Sequence, residues 1–176
     1  MNHQVRPVRL NHPDGKHYLE FNWDGLCFVH QLVAGNDILQ SYNDLDEAAW
    51  PLSPPIQQLS VEEINDHDVA LGVGCAGTSH WSLSVEPIES GYQFEWACRT
   101  KVAPEKLLST YRRMAADGST DGDTKATATA WSLLPQGKTV SANRDGMTSL
   151  APDQSLDSAG TFQWTYRAVF LTGDDV

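Results

Sequence analysis

Cys75-Ala76-Gly77-Thr78-Ser79-His80 puts a thiol, hydroxyls and an imidazole close together near the middle of the chain. Nucleophilic catalysis needs groups of these types within hydrogen-bond reach of one another. A loop cysteine and a histidine at a strand start more commonly satisfy backbone donors and acceptors. What decides between the two is the company His80 keeps. The register of the strands that follow sets it across from Arg99, on a face that also carries Ser82, Ser84 and Glu95. There Arg99 could hold an anion, His80 could exchange a proton, and Glu95 could act as acid or base.

A second group is purely acidic. In the same register Glu62, Asp68 and Glu86 fall side by side on three neighbouring strands, and no Lys or Arg occurs between His17 and Cys98 to offset them. Like charges directly opposite one another are destabilising. Such carboxylates must splay into water, raise their pKa values, or share a hard cation such as calcium or magnesium. Splaying is the expectation, so no metal ion and no cofactor is assigned. Asp117-Gly118-Ser119-Thr120-Asp121-Gly122 imitates the start of a calcium loop, but Ala128 stands where the bidentate Glu belongs, and the segment is taken as a plain turn. The chain has no Walker loop, no dinucleotide-binding glycine motif, no His-Glu-x-x-His and no Gly-x-Ser-x-Gly elbow.

The stretch that must position His80 and Arg99 runs from Pro55 to Lys101 and reads as four consecutive strands. Trp81, Leu83 and Val85 alternate with His80, Ser82, Ser84 and Glu86; after Ile88-Glu89-Ser90-Gly91 the apolar set resumes at Tyr92, Phe94, Trp96 and Cys98. A four-residue loop sets Val85 opposite Phe94, Leu83 opposite Trp96 and Trp81 opposite Cys98, and a shift of either strand by one residue would split the apolar sets across both faces. With Cys75 to Ser79 as the preceding loop, Val73, Leu71 and Val69 meet Trp81, Leu83 and Val85. A turn near Ile64-Asn65-Asp66 then brings Val61 and Leu59 onto Val69 and Leu71. Leu71, Leu83, Val85, Phe94 and Trp96 are therefore expected to be buried together.

On the opposite face this register lines up Ala70, Gly72 and Gly74 beside Ser84, Ser82 and His80, and these beside Glu95, Ala97 and Arg99. A strand face open to water usually carries larger polar residues, and glycine weakens a strand unless something approaches its backbone. Either another layer of the protein packs there, or the face is a shallow ligand groove.

Charge and composition bound the rest. The 176 residues carry 12 basic and 23 acidic side chains, 12 − 23 = −11, with 40% hydrophobic residues and no apolar run long enough to span a membrane. One domain over residues 1–176 is expected. After the stretch from His17 to Cys98 without Lys or Arg, basic residues arrive close together as an island, Arg99, Lys101, Lys106, Arg112 and Arg113, expected to pair with the acidic half. So acidic a chain is a poor nucleic-acid binder. Met1 to Asp14 has no apolar central run, so no secretory signal or lipid anchor is expected and the protein is assigned to the cytoplasm. Three cysteines without a Cys-x-x-Cys pair suit reduced thiols.

Along the remaining chain, strands are expected around Val8 and Leu10, from His17 to Trp23, Leu26 to Val33, Ile38 to Tyr42, Thr124 to Leu134, Lys138 to Ala142 and Thr161 to Leu171. Asn43 to Pro55 reads as a long surface loop, with Trp50 as its anchor to the body. Pro104-Glu105-Lys106 reads as a helix start, with a stripe of Leu107, Leu108, Tyr111 and Met114 and an end at Gly118; an extended segment through Leu108 to Tyr111 competes. Ser149 to Gly160 reads as loop.

The expected fold is all-β, an antiparallel β-sandwich or flattened β-barrel with one short helix. The expected function is non-enzymatic binding of a small molecule or protein partner, through His80, Arg99, Glu95, Ser82 and Ser84. The alternative is a small enzyme using His80, Glu95 and Arg99 on an anionic substrate.

Overall fold

Period-two alternation and turn signals produce strands almost everywhere in the computed structural model, which describes residues 5–44, 49–114 and 131–170. In chain order the strands are β1 (Val8–Asn11), β2 (His17–Trp23), β3 (Phe28–Ala34), β4 (Asp37–Ser41), β5 (Gln58–Ile64), β6 (His67–Ala76) and β7 (Ser79–Ile88). They continue with β8 (Gly91–Arg99), β9 (Ser109–Met114), β10 (Trp131–Gln136), β11 (Thr139–Arg144), β12 (Met147–Pro152) and β13 (Thr161–Phe170). Two antiparallel sheets form, ordered β1-β2-β3-β4-β9-β12-β11 and β10-β13-β8-β7-β6-β5. They pack face to face as a sandwich. No described helix is long and apolar enough to cross a membrane.

The core lies between the sheets. Phe162, Trp164, Tyr166, Ala168 and Phe170 of β13, the expected single side of that strand, are all buried, as are Leu83, Val85, Phe94 and Trp96. Phe94 stacks on Tyr166 at 5.0 Å and Trp96 on Trp164 at 6.2 Å. Polar tips within these large rings find partners across the gap. Tyr92 donates to the Leu10 carbonyl at 2.9 Å, and Trp164 Nε1 to Ser109 Oγ at 2.9 Å. Buried Tyr and Trp tips favour such partners, and these two bonds each tie a strand of one sheet to a strand of the other.

The β7–β8 hairpin has the expected register, Val85↔Phe94, Leu83↔Trp96 and Trp81↔Cys98. The β6–β7 hairpin does not. Ala70, Gly72 and Gly74, rather than Val69, Leu71 and Val73, sit opposite Val85, Leu83 and Trp81. The connection is a two-residue turn at Gly77-Thr78, with Gly77 at φ +55°, in place of the expected longer loop. The one-residue difference turns every side chain of β6 over. Leu71 leaves the expected core set and is only half-buried on the outer face. Leu71→Ala is accordingly expected to cost about 1 kcal/mol or less, near the surface norm. A urea midpoint lowered as far as by a core truncation would return Leu71 to the interior.

Glycine on the inner face has a specific cause. Pro55 and Ile56 cross between the sheets, with Ile56 bridging to Phe28, and a Cβ on Gly74 would lie 1.7 Å from the Pro55 carbonyl oxygen. The loop before this crossing is held by Asn43, whose side chain bonds the Ser53 carbonyl at 3.0 Å and the Ser53 N–H at 2.6 Å. Trp50 packs on the core, edge-on to Trp81 at 6.3 Å, the anchoring role expected of it.

Over the described residues 104–114 the expected helix does not form. Ser109–Met114 is instead strand β9, inserted between β4 and β12, and Leu107, Ser109 and Tyr111 are buried. The loop expected at Ser149 to Gly160 begins later, because Ser149 to Pro152 complete β12. The turn expected at Asp117 to Asp123, the calcium-loop look-alike and the first part of the strand expected from Thr124 lie outside the described residues.

Candidate functional site

Three adjacent cross-strand rows on the outer face of the six-stranded sheet carry the candidate residues. Cys75, His80, Arg99 and Thr161 form one; Val73, Ser82, Ala97 and Gln163 the next; Leu71, Ser84, Glu95 and Thr165 the third. The slipped register of β6 places Leu71 and Val73 here where glycines were expected. Small side chains are therefore confined to β7 and β8. Ser82 and Ala97 become the floor of a trough whose walls are longer residues of β6 and β13.

The result is an open groove of about 550 Å3, with Val73 on one flank and Cys75, His80 and Arg99 at one end. The other possibility for this face, a covering layer, does not occur among the described residues: the seven-stranded sheet packs on the opposite face, and His80, Ser82, Glu95 and Arg99 are exposed. His80 and Arg99 are direct partners, as expected. Glu95 stands two rows away, four residues from Arg99 along β8, or about 13 Å at the usual strand rise. It accepts a hydrogen bond from Gln93 Nε2 at 3.0 Å. Glu95 and His80 are thus not arranged around one reacting atom.

The basic island divides. Arg113 pairs with Asp37 and also donates to the Trp131 carbonyl, and Arg112 lies over the Tyr42 ring at 4.9 Å. Arg99 has no ion-pair partner among the described residues.

Gln57, which sequence reasoning missed, organises the end of the groove. Its amide Nε2 donates to the Cys75 carbonyl at 2.9 Å, and its Oε1 accepts the Cys75 N–H at 2.8 Å. Both backbone groups of Cys75 therefore point away from β7, which makes Cys75 and His80 a non-hydrogen-bonded antiparallel pair. Side chains approach most closely in pairs of that kind. The thiol and imidazole, close in sequence, are direct neighbours across the hairpin.

The acidic trio is not assembled. Val69, not Asp68, lies between Glu62 and Glu86, while Asp68 sits opposite Glu63 on the other face of the strand. The same β6 slip is the cause. His67 Nε2 approaches Glu86 at 3.4 Å instead, and no described group of three or more His, Cys, Asp or Glu is arranged to hold a metal.

Two further clusters gave little signal. Asn11-His12-Pro13-Asp14-Gly15 reads as a turn, and in it Asp14 accepts the N–H groups of Lys16 and His17. Its other oxygen meets His17 Nδ1 at 2.5 Å. Burial pushes the Asp14 carboxyl up, but those backbone donors and the two imidazoles together hold it well below its usual range. His17 stacks flat on Phe170 at 3.8 Å, so the cluster closes one end of the sandwich. In the core, Trp96 Nε1 donates to the Tyr166 hydroxyl at 3.0 Å. That hydroxyl meets the Tyr111 hydroxyl at 2.5 Å, which in turn meets His30 Nε2 at 2.7 Å. Burial drives the His30 pKa down to about 3 and raises both tyrosines, Tyr166 to about 12. No sequence spacing links these four residues.

Fold and site together define an antiparallel β-sandwich with one open, singly basic groove on its six-stranded sheet. No family model, no curated protein and no solved structure matches the chain.

Proposed function

We propose that this is a non-enzymatic binding protein that takes a flat, anionic small molecule on the outer face of the six-stranded sheet. One observation carries the reading: Arg99, without an ion-pair partner among the described residues, stands at the end of a groove floored by side chains too short to fill it. A guanidinium fork holds a carboxylate through two parallel donors. His80 adds a third, Ser82 offers a hydroxyl on the floor and Ser84 another one row beyond the groove, and Glu95, beside Ser84, repels the charged end so that it lies toward Arg99. An enzyme joining His80, Glu95 and Arg99 gains no support from their separation. The acidic composition argues against a nucleic-acid partner, and three free thiols suit a reducing cytoplasmic setting.

Benzoate offers both the plane and the charge, and inorganic phosphate the charge alone. In an amide-resolved NMR titration, benzoate is expected to shift Ser82, Ala97 and Arg99. Arg99→Ala should weaken binding about tenfold, the worth of one charge-assisted hydrogen bond. Ser82→Trp should fill the groove and remove the shifts while changing stability by no more than about 0.5 kcal/mol, because the position is exposed. Absence of shifts with either anion, or a Ser82→Trp chain that fails to fold, would refute the groove as a site.

A further inference from the structure

We propose that Cys75 is a site of reversible mixed-disulfide formation with a low-molecular-weight, carboxylate-bearing disulfide of the glutathione class, an inference that rests on the groove's reading as an anion site. The three thiols differ sharply. Cys27 and Cys98 are buried, and burial pushes their pKa values up to about 11 and about 12, so both stay protonated and out of reach. Cys75 is exposed and lies on a strand whose backbone Gln57 clamps on both polar groups. The backbone that carries the thiol is therefore held on both sides. Its closest cross-strand neighbour is His80, and Arg99 follows in the same row. Reactive cysteines occupy partly exposed places beside cationic or proton-accepting groups, and this one also opens onto a groove of about 550 Å3.

The step balances with the groups present and the incoming disulfide. His80 takes the thiol proton, and the Cys75 sulfur attacks the nearer sulfur of the disulfide while Arg99 grips a carboxylate of the half that stays. One S–S bond forms as the other breaks. The departing thiolate takes the proton back from His80 and leaves as a free thiol. Cys75 is oxidised, the departing half is reduced, and excess free thiol reverses the exchange.

The test compares oxidised glutathione with the uncharged 2-hydroxyethyl disulfide on the folded full chain, followed by intact mass and peptide mapping. One adduct is expected, on Cys75 alone, removed by excess reduced glutathione. His80→Gln is expected to slow both reagents about tenfold, for want of a group to take the thiol proton. Arg99→Ala is expected to slow oxidised glutathione severalfold and leave the uncharged reagent unchanged. Adducts on Cys27 or Cys98, or rates in the folded chain indifferent to both substitutions and equal to those in urea, would overturn the proposal. The benzoate titration of the unmodified chain reads the groove separately. Benzoate binding without any preference for the charged disulfide would sink this inference alone, and loss of both would sink the binding reading with it.

Discussion

Acid is expected to destabilise this protein through one buried imidazole, well above the pH at which carboxylates protonate. His30 is fully enclosed, with Phe21, Phe94, Trp96 and Tyr111 as its ring neighbours, and burial lowers its pKa from 6.5 to about 3. Between those values the unfolded chain binds a proton on this residue that the folded chain refuses. Stability is therefore complete above pH 6.5 and falls as pH drops toward 3, by up to about 1.4 kcal/mol per pH unit and about 5 kcal/mol in total. Asp14 acts with the same sign, but only below its ordinary value of 3.8, so the interval from pH 6.5 to 4 reports the imidazole separately from it. The measurement is a set of urea titrations across that interval for the native chain and for His30→Gln, whose side-chain amide offers Tyr111 either a donor or an acceptor. The variant should be weaker at pH 7 and distinctly flatter in its pH dependence. Equal slopes for the two chains would show that His30 is not held neutral by the core.

Gly74→Ala is expected to cost about 3 kcal/mol or more, the upper end of what overpacking does to a core. The added Cβ would meet backbone rather than a movable side chain: the Pro55 oxygen at 1.7 Å, its carbonyl carbon at 2.8 Å and Ile56 Cα at 3.1 Å. Relief requires the crossing segment to leave β6, which would also break the Gln57 N–H bond to the Val73 carbonyl at 2.9 Å. Gly72 provides the contrast, since its Cβ would meet side chains and no backbone atom: Ile56 Cγ2 at 2.8 Å, Leu59 Cδ1 at 3.3 Å and Leu83 Cβ at 3.5 Å. Gly72→Ala should cost clearly less. Denaturant midpoints for the two variants check the ordering, and a wild-type midpoint for Gly74→Ala would mean that Pro55 does not cross there.

Where two strands are joined by a short turn and both alternate with large apolar residues, the sequence settled face and register together. The β7–β8 hairpin and the aromatic side of β13 were legible for that reason. Strand β6 misled because bulk was taken as the sign of burial. Val69, Leu71 and Val73 are larger than Ala70, Gly72 and Gly74, yet Ile56 and the Pro55 backbone already fill the space beneath the smaller set. The candidate site was half legible on the same grounds. His80 opposite Arg99 came from the readable hairpin, whereas the Cys75 partnership, the Gln57 clamp and the dispersal of Glu62, Asp68 and Glu86 all turned on the slipped strand.

By itself the sequence determined an all-β chain, the order of most strands and the side of each aromatic strand that must avoid water, because those follow from local alternation and turn chemistry. The tertiary structure decided what depends on partners distant in the chain. Leu107, Leu108, Tyr111 and Met114 have helical spacing, but β9 is a strand because β4 and β12 offer it backbone partners on both edges. A helical turn there would leave both of those edges unpaired inside the sheet, at the cost of buried backbone groups without hydrogen bonds. His30, Trp96, Tyr111 and Tyr166 likewise become one hydrogen-bonded chain only when the two sheets close over them. Each tip is then removed from water, and the partner it must find lies on a strand that no local pattern could name.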